Sequence, residues 1–327
     1  MSRHIHQTNA YLVLAFYQFV KIDDSQFEVL SMQKFCNQID AKGRIYINES
    51  GINAQMSISQ QDASSFFTWI SQHPIFHQID IKVHTYHEHV FPRMTIKYRK
   101  QLVALDCAVD LSQRGDYLSP QEWEQKLSRR EEEILLLDVR NDYEWEVGHF
   151  EGAERPHMQH FREFPSSIES MKRRYDPSSV HVMMSCTGGI RCELYSSLMK
   201  QAGFRFVSQL KGGVIQYGLE IGNKHWKGHL FVFDDRLVIP LGDSSQVETI
   251  GTCCFCKGQT SLYYNCANMD CNQLFLCCLQ CIKDMKGCCS LACQSQVCRP
   301  FNESHRPKPF SRLSYHQKLC LRKKATP

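Results

Sequence analysis

No stretch of the 327-residue sequence comes near the length of a membrane span. The first apolar stretch, residues 11–20, is interrupted by Gln18 and has no small-residue cleavage site, so it does not read as a signal peptide. A cytoplasmic protein with no membrane partner is the expectation. The sequence also lacks a flavin or haem motif, and no residue spacing marks a mononuclear iron site. Its net charge of +4 is too small for charge alone to name a partner. Cysteine is scarce through most of the chain: Cys36, Cys107, Cys186 and Cys192 are the only ones before residue 253. That long stretch has to be held together by buried apolar side chains.

What is present is unevenly placed. Thirteen of the 17 cysteines lie from Cys253 onward, which marks a separate module. From Arg299 to Pro327 there are eight Lys or Arg against the single acid Glu303. Such a tail suits polyanion binding and suits a solvated tail equally well. Length and these breaks divide the chain into residues 1–105, a linker at 106–118, a domain at 119–238, a Cys-rich module at 239–298 and the basic tail at 299–327.

In the first domain, 11–19 reads as a buried strand. Residues 27–39 read as a helix with Phe27, Leu30, Phe35 and Ile39 inward, and 43–48 and 52–57 as strands joined at Glu49-Ser50-Gly51. A helix at 62–70 follows, then strand-like stretches at 79–83 and 94–105; up to the first of these the order is β-α-β-β-α-β, which matches a ferredoxin-like α/β sandwich. Arg93, Lys97, Arg99 and Lys100 make the last strand basic, either as a solvated face or as an RNA-facing one.

The central domain alternates strands and helices and so implies a parallel sheet. Ser119-Pro120-Gln121-Glu122 signals a helix start, and a strand at 134–137 runs into Asp138-Val139-Arg140. The apolar run 180–185 ends in Cys186-Thr187-Gly188-Gly189-Ile190-Arg191-Cys192-Glu193, and a helix follows at once. Leu194, Leu198 and Ala202 mark its apolar spacing and Gly203 its end. Cys186 therefore falls at the carboxyl end of a strand, where active sites lie in such sheets. The amides of residues 187–191, the helix dipole and the Arg191 charge converge there and favour an anion, so the Cys186 thiol is expected to ionise near neutral pH. A lone cysteine closing a buried strand is ordinarily a small core residue; the full run of strand, Cys, paired Gly, Arg and helix points to a reactive thiol. Cys192 reads either as a resolving thiol or as a structural residue. Asp138 and Arg140 read as supports of the loop.

Beyond residue 251 the pairs Cys253/Cys256, Cys266/Cys271 and Cys278/Cys281, then Cys288 or Cys289 with Cys293, have the spacing of tetrahedral thiolate sites. The preferred arrangement is Cys253, Cys256, Cys278 and Cys281 on one Zn2+ and Cys266, Cys271, Cys289 and Cys293 on another, with Cys288 a rival for Cys289. Closed sets of four favour structural zinc over an iron–sulfur cluster, and a cytosolic setting favours metal over disulfides.

Leu137-Asp138-Val139-Arg140 with Glu144, Gly148-His149 and Gly152-Ala153, then Cys186 to Arg191, then Leu210-Lys211-Gly212-Gly213, resembles a rhodanese domain. Four residues separate Cys186 from Arg191, a loop sized for sulfur; the related phosphatases use one more. More of the chain resembles the bacterial TrhO (YceA-like) family of rhodanese-domain tRNA uridine(34) hydroxylases. The motifs are Gly43-Arg44-Ile45, Glu49-Ser50-Gly51-Ile52-Asn53, Phe161-Arg162-Glu163-Phe164-Pro165, Trp226-Lys227-Gly228, Phe231-Val232-Phe233-Asp234-Asp235-Arg236 and Asn265-Cys266-Ala267-Asn268. Ser50 departs from the proline expected there, and Cys254, Cys277, Cys298 and the tail are additional. The resemblance implies an enzyme that uses molecular oxygen to convert the wobble uridine of tRNA to 5-hydroxyuridine. It implies Cys186 as a persulfide-type active-site residue and names no electron donor. Two other functions stay open: a persulfide sulfurtransferase, and a zinc-stabilised RNA-binding adaptor without catalysis.

Overall fold

The computed structural model describes residues 10–103, 105, 107, 109–129, 133–156 and 164–301. Motif residues Phe161, Arg162 and Glu163 and the basic tail from residue 302 lie outside them. The chain divides into two compact units, Met1–Ala108 and Val109–Pro327. Among the described residues no helix is long and apolar enough to cross a membrane.

The first unit runs β1 (Tyr11–Phe19), α1 (Ser25–Cys36), β2 (Ala41–Asn48), β3 (Gly51–Ser59), α2 (Gln60–Ser71), β4 (Ile81–Tyr86) and β5 (Met94–Tyr98). Its sheet order is β4-β1-β3-β2-β5, antiparallel except where β5 pairs parallel with β2. This is the ferredoxin-like arrangement with one strand added at the edge. The β2–β3 turn needs Gly51: at φ +138° a side chain would be strained, and its Cβ would stand 2.0 Å from the Gln18 carbonyl oxygen. Val29, Met32, Phe66 and Ile70 of the two helices close over Leu14, Phe16, Ile45, Ile47 and Ile58 of the sheet.

The inward stripe of α1 corrects the sequence reading. Phe27 and Leu30 are 61% and 63% exposed, and the buried positions are Ser25, Glu28, Val29, Met32 and Cys36. The true stripe runs one position later because it contains a carboxylate. Glu28 is matched by His73 at 3.1 Å, so a residue that sequence patterning places outside sits inside.

The second unit opens with a correction to the linker at 106–118. Its final residues form β6 (Asp116–Leu118), the edge of a parallel sheet ordered β6-β10-β9-β7. Three residues are too few to show a strand period. The order is α3 (Pro120–Arg129), β7 (Ile134–Asp138), α4 (Asp142–Trp145), β8 (Gly148–Phe150), α5 (Phe164–Arg174), β9 (His181–Ser185), α6 (Ile190–Gln201), β10 (Phe206–Leu210) and α7 (Gly213–Glu220). Short pairs follow: β11 (Trp226–Gly228) on β8, and β12 (Leu230–Phe231) with β13 (Val238–Ile239). In the Cys-rich module β14 (Tyr263–Asn265) pairs with β15 (Leu274–Leu276), then α8 (Leu279–Asp284) and α9 (Leu291–Gln294).

Helix α6 also departs from its apolar pattern. Tyr195, Ser196, Ser197 and Met199 are buried, whereas Leu194 and Leu198 are only half-buried. Polar residues face inward because each has a partner. The Gly115 amide donates to Ser196 Oγ at 2.9 Å and Ser197 Oγ donates to the Asp110 carbonyl at 2.6 Å. Tyr117 donates to the Glu193 carboxylate at 2.7 Å. The Cys-rich module shares a core with the rest of the unit, in which Tyr263 and Leu276 pack with Val147, Phe231 and Leu237.

Candidate active site and metal centres

Strand β9 delivers Cys186 to the carboxyl edge of the sheet, between β7 and β10. The chain turns through Thr187, Gly188 and Gly189 (φ +101°) and enters α6 at Ile190. The Gly189 amide donates to Cys186 Sγ at 3.2 Å. Burial by itself would push this thiol up. The Cys192 thiol, the Arg191 charge and the Cys192 and Arg191 amides outweigh it and bring the pKa down to about 6. Cys192 moves the opposite way, pushed up by its own burial and by the neighbouring thiolate, so it keeps its proton. Of the two thiols, Cys186 is thus the one that ionises first.

The loop is tied from two sides. From the β10–α7 turn, the Val214 amide donates to the Cys186 carbonyl and the Ile215 amide to the Thr187 carbonyl, both at 3.0 Å. Gly213 permits this approach, since a Cβ there would lie 2.6 Å from the Cys186 carbonyl oxygen. On the other side stands Glu144 of α4, wholly buried. Arg191 grips it with two hydrogen bonds of 2.9 Å, and Thr187 Oγ1 donates to it at 2.8 Å. The Asn141 amide and side chain donate to its second oxygen at 3.0 and 2.7 Å. Burial opposes the Glu144 charge, but Arg191 and then Arg140 overcome it and hold the carboxyl below its usual range. The Arg191 guanidinium also lies 5.6 Å from the centre of the Phe233 ring. Among the described residues, nothing lies within 4 Å of where a Gly188 Cβ would stand.

Asp138 and Arg140 sit at the end of β7 without reaching the thiol. Arg140 is fully buried, paired to Asp138 at 2.5 Å, and donates to the carbonyls of Glu144 and Gly148 at 3.2 and 2.5 Å. They hold the segment that carries Glu144.

In the Cys-rich module the structure gathers Cys253, Cys256, Cys278 and Cys281 in one group and Cys266, Cys271, Cys289 and Cys293 in another, each with all sulfurs within 4.8 Å of one another. Four thiolates about 2.3 Å from a tetrahedral zinc stand about 3.8 Å apart. The sulfur separations of 3.7 Å for Cys256–Cys278, 3.6 Å for Cys271–Cys289 and 3.8 Å for Cys289–Cys293 fit that centre. Both groups can hold a metal ion. Cys289 belongs to the second group and Cys288 does not: Cys288 Sγ lies 3.4 Å from Cys298 Sγ.

The family model described as "UPF0176 acylphosphatase like domain" matches residues 11–102, "Rhodanese-like domain" matches 119–219 and "Rhodanase C-terminal" matches 227–294. The tRNA uridine(34) hydroxylase of Chlamydia felis is 49% identical over 305 residues, 93% of this chain and 93% of its own. The protein of that name from Protochlamydia amoebophila is 48% identical over 319 residues, 97% of this chain and 99% of its own. The chain belongs to the tRNA uridine(34) hydroxylase family. Among solved structures, the rhodanese-like domain of an Anabaena protein aligns with 34% of this chain and 78% of its own at 20% identity, with a TM-score of 0.29. The assignment rests on the sequence relatives and the family models.

In this family member, sequence reasoning missed Glu144 and Phe233 as parts of the site. Both fell within motifs, Glu144 in the rhodanese pattern and Phe233 in Phe231-Val232-Phe233-Asp234-Asp235-Arg236. Nothing local marked either as a partner of Arg191. The tyrosine ladder behind the site was also not visible in sequence. Tyr263 Oη donates to the Tyr143 carbonyl at 2.5 Å, and Tyr143 packs edge-on to Phe231 at 5.0 Å. Through these contacts the Cys-rich module buttresses α4.

Proposed function

We propose that this chain hydroxylates C5 of uridine 34 in tRNA, and that Cys186 is the catalytic nucleophile. The observation that carries the reading is a buried cysteine at a strand end, held by the Gly189 amide at 3.2 Å in a loop that closes on Arg191, in a chain 48–49% identical to tRNA uridine(34) hydroxylases over nearly all its length; its pKa is lowered to about 6. At neutral pH the thiolate adds to C6 of the pyrimidine, forming an S–C6 bond and moving the ring electron pair towards C5. Molecular oxygen supplies the oxygen atom at C5. A two-electron reductant and two protons convert its other atom to water. Loss of the C5 proton and departure of the thiolate restore the C5=C6 bond. Thr187, Gly188, Gly189, Ile190 and Arg191 stabilise the thiolate on its release, and Cys192 lends it a proton-sharing partner. A cytoplasmic location follows from a tRNA substrate. Nucleoside mass spectrometry of tRNA from a strain lacking this activity is expected to show 5-hydroxyuridine only when this chain is expressed. Its continued absence would overturn the proposal. Thiocyanate formation from thiosulfate and cyanide without that nucleoside would favour sulfur transfer, which the four-residue Cys186–Arg191 loop also suits.

The metal in both cysteine groups is proposed to be zinc, with a structural role, since four thiolates close each site and leave no open position for chemistry. Protein purified without added metal is expected to carry two zinc ions per chain by elemental analysis. Less than one per chain would contradict both sites. Because Tyr263 supports α4, stripping the metal is also expected to destabilise the Cys186 loop.

A further inference from the structure

Both helices of the first unit pack on one side of its sheet, against Leu14, Phe16, Ile45, Ile47, Ile52 and Met56. Strand alternation sends the intervening residues to the other side. There the register aligns Tyr17, Asn53, Tyr46 and Lys97 in one row across β1, β3, β2 and β5, and Ala15, Gln55, Arg44 and Thr95 in the next. Lys82 lies opposite Ala15 on β4 and Lys42 opposite Ser57 on β2. No strand position on this side, among the described residues, is Asp or Glu. Every ionised side chain that these strands carry on this face is therefore a cation. The face is partly covered: Val90 and Phe91 pack on Val13, and the Arg99 and Leu102 carbonyls accept from the Asn48 and Asn53 side chains.

The cations and aromatic rings are already associated. The Lys97 and Arg99 charges sit 5.9 and 5.2 Å from the Tyr46 ring centre, and the Lys82 ammonium 5.3 Å from that of Tyr17. Arg44, Lys97 and Arg99 are exposed, both tyrosines are half-buried, and Lys82 is buried against Tyr17, which leaves phosphate contacts to the first three. Tyr17 and Tyr46 stand two strands apart, about 10 Å across the sheet; Asn53 between them donates its side-chain amide to the Leu102 carbonyl at 3.2 Å. Rings to stack on and flexible cations for phosphates are components with which a sheet holds unpaired nucleotides. Double-stranded RNA buries the base faces that such rings require.

We infer that this face binds single-stranded RNA, the loop nucleotides of the tRNA substrate, with Tyr17 and Tyr46 as stacking platforms; the inference rests on the tRNA reading above. On binding, Lys97 and Arg99 exchange the Tyr46 ring for phosphate oxygens while a base takes the ring. Of the basic residues prominent in sequence, Lys97 belongs to the face by register and Arg99 by its contact with Tyr46. Arg93 and Lys100 are exposed at its margin.

The test is fluorescence anisotropy with the full chain and a labelled tRNA transcript carrying uridine 34, across a salt series. The Tyr17→Leu/Tyr46→Leu chain is expected to bind at least about tenfold more weakly. The Lys97→Gln/Arg99→Gln chain, which leaves the sheet packing intact, is expected to flatten the log–log salt dependence by about 1.4. Lys34→Gln, an exposed change on the helix side, is expected to leave binding unchanged. Binding by both sheet variants within twofold of the unmodified chain, or an equal loss with Lys34→Gln, would overturn the inference. So would competition by polyglutamate as strong as that by single-stranded RNA. If the unmodified chain hydroxylates tRNA while the sheet variants bind normally, the surface is wrong and the function stands. If it neither binds nor modifies tRNA, both fall.

Discussion

Replacing Glu144 by alanine is expected to cost about 3–5 kcal/mol of stability, because it leaves the Arg191 guanidinium buried without its counter-charge. The loss should appear as a lower urea midpoint for the second unit. In the native chain Glu144 accepts from Arg191, Thr187 and Asn141, so no water is needed to satisfy it. Glu144→Gln keeps the shape and some of these bonds and should fall between the two. The catalytic consequence is a loop free to drift from the geometry that gathers amides around Cys186. An Ala substitution costing less than about 1 kcal/mol would mean that Arg191 finds another partner, and that Glu144 is no anchor.

The ultraviolet thiolate absorbance of the zinc-loaded chain, taken as a difference from Cys186→Ala, is expected to titrate with a midpoint at about pH 6. A free cysteine titrates at about 8.5. The sign for stability follows from the direction of the shift. Folding favours the ionised form, so the contribution is complete above the unfolded pKa and is lost as pH falls through the folded one, a window of about pH 8.5 down to 6. Cys192→Ala removes a donor to the thiolate and should move the midpoint up. A midpoint near 8.5 in the native chain would show that burial prevails over the loop amides and Arg191.

The part of the site that could be read in sequence is the part whose chemistry is contiguous. Cys186 through Arg191 carries its own anion pocket because strand end, glycine turn and helix start are adjacent in the chain. The cysteine groups were legible for a related reason. Tetrahedral thiolate sites impose short spacings within each pair, and only two pairs fit around one ion. Spacing could not choose between Cys288 and Cys289, which differ by one residue and are separated by which way each side chain points.

What was not legible lies across the fold. Glu144 meets Arg191 across 47 residues, and an acid in a one-turn helix looks the same in sequence whether buried or exposed. The stripes of α1 and α6 were misplaced because Glu28, Ser196 and Ser197 are buried with partners from distant segments, and hydrophobic periodicity counts polar residues as outward. The basic strand of the first unit was visible, whereas the face it shares with Tyr17, Tyr46 and Arg44 depends on cross-strand register.

The role proposed for the Cys186 thiolate is chemistry on the tRNA base. It is tested most directly by expressing the Cys186→Ala chain, zinc-loaded and folded, in a strain lacking 5-hydroxyuridine and measuring that nucleoside in its tRNA. The expected result is none above background, beside full restoration by the unmodified chain. Restoration by Cys186→Ala would contradict the account.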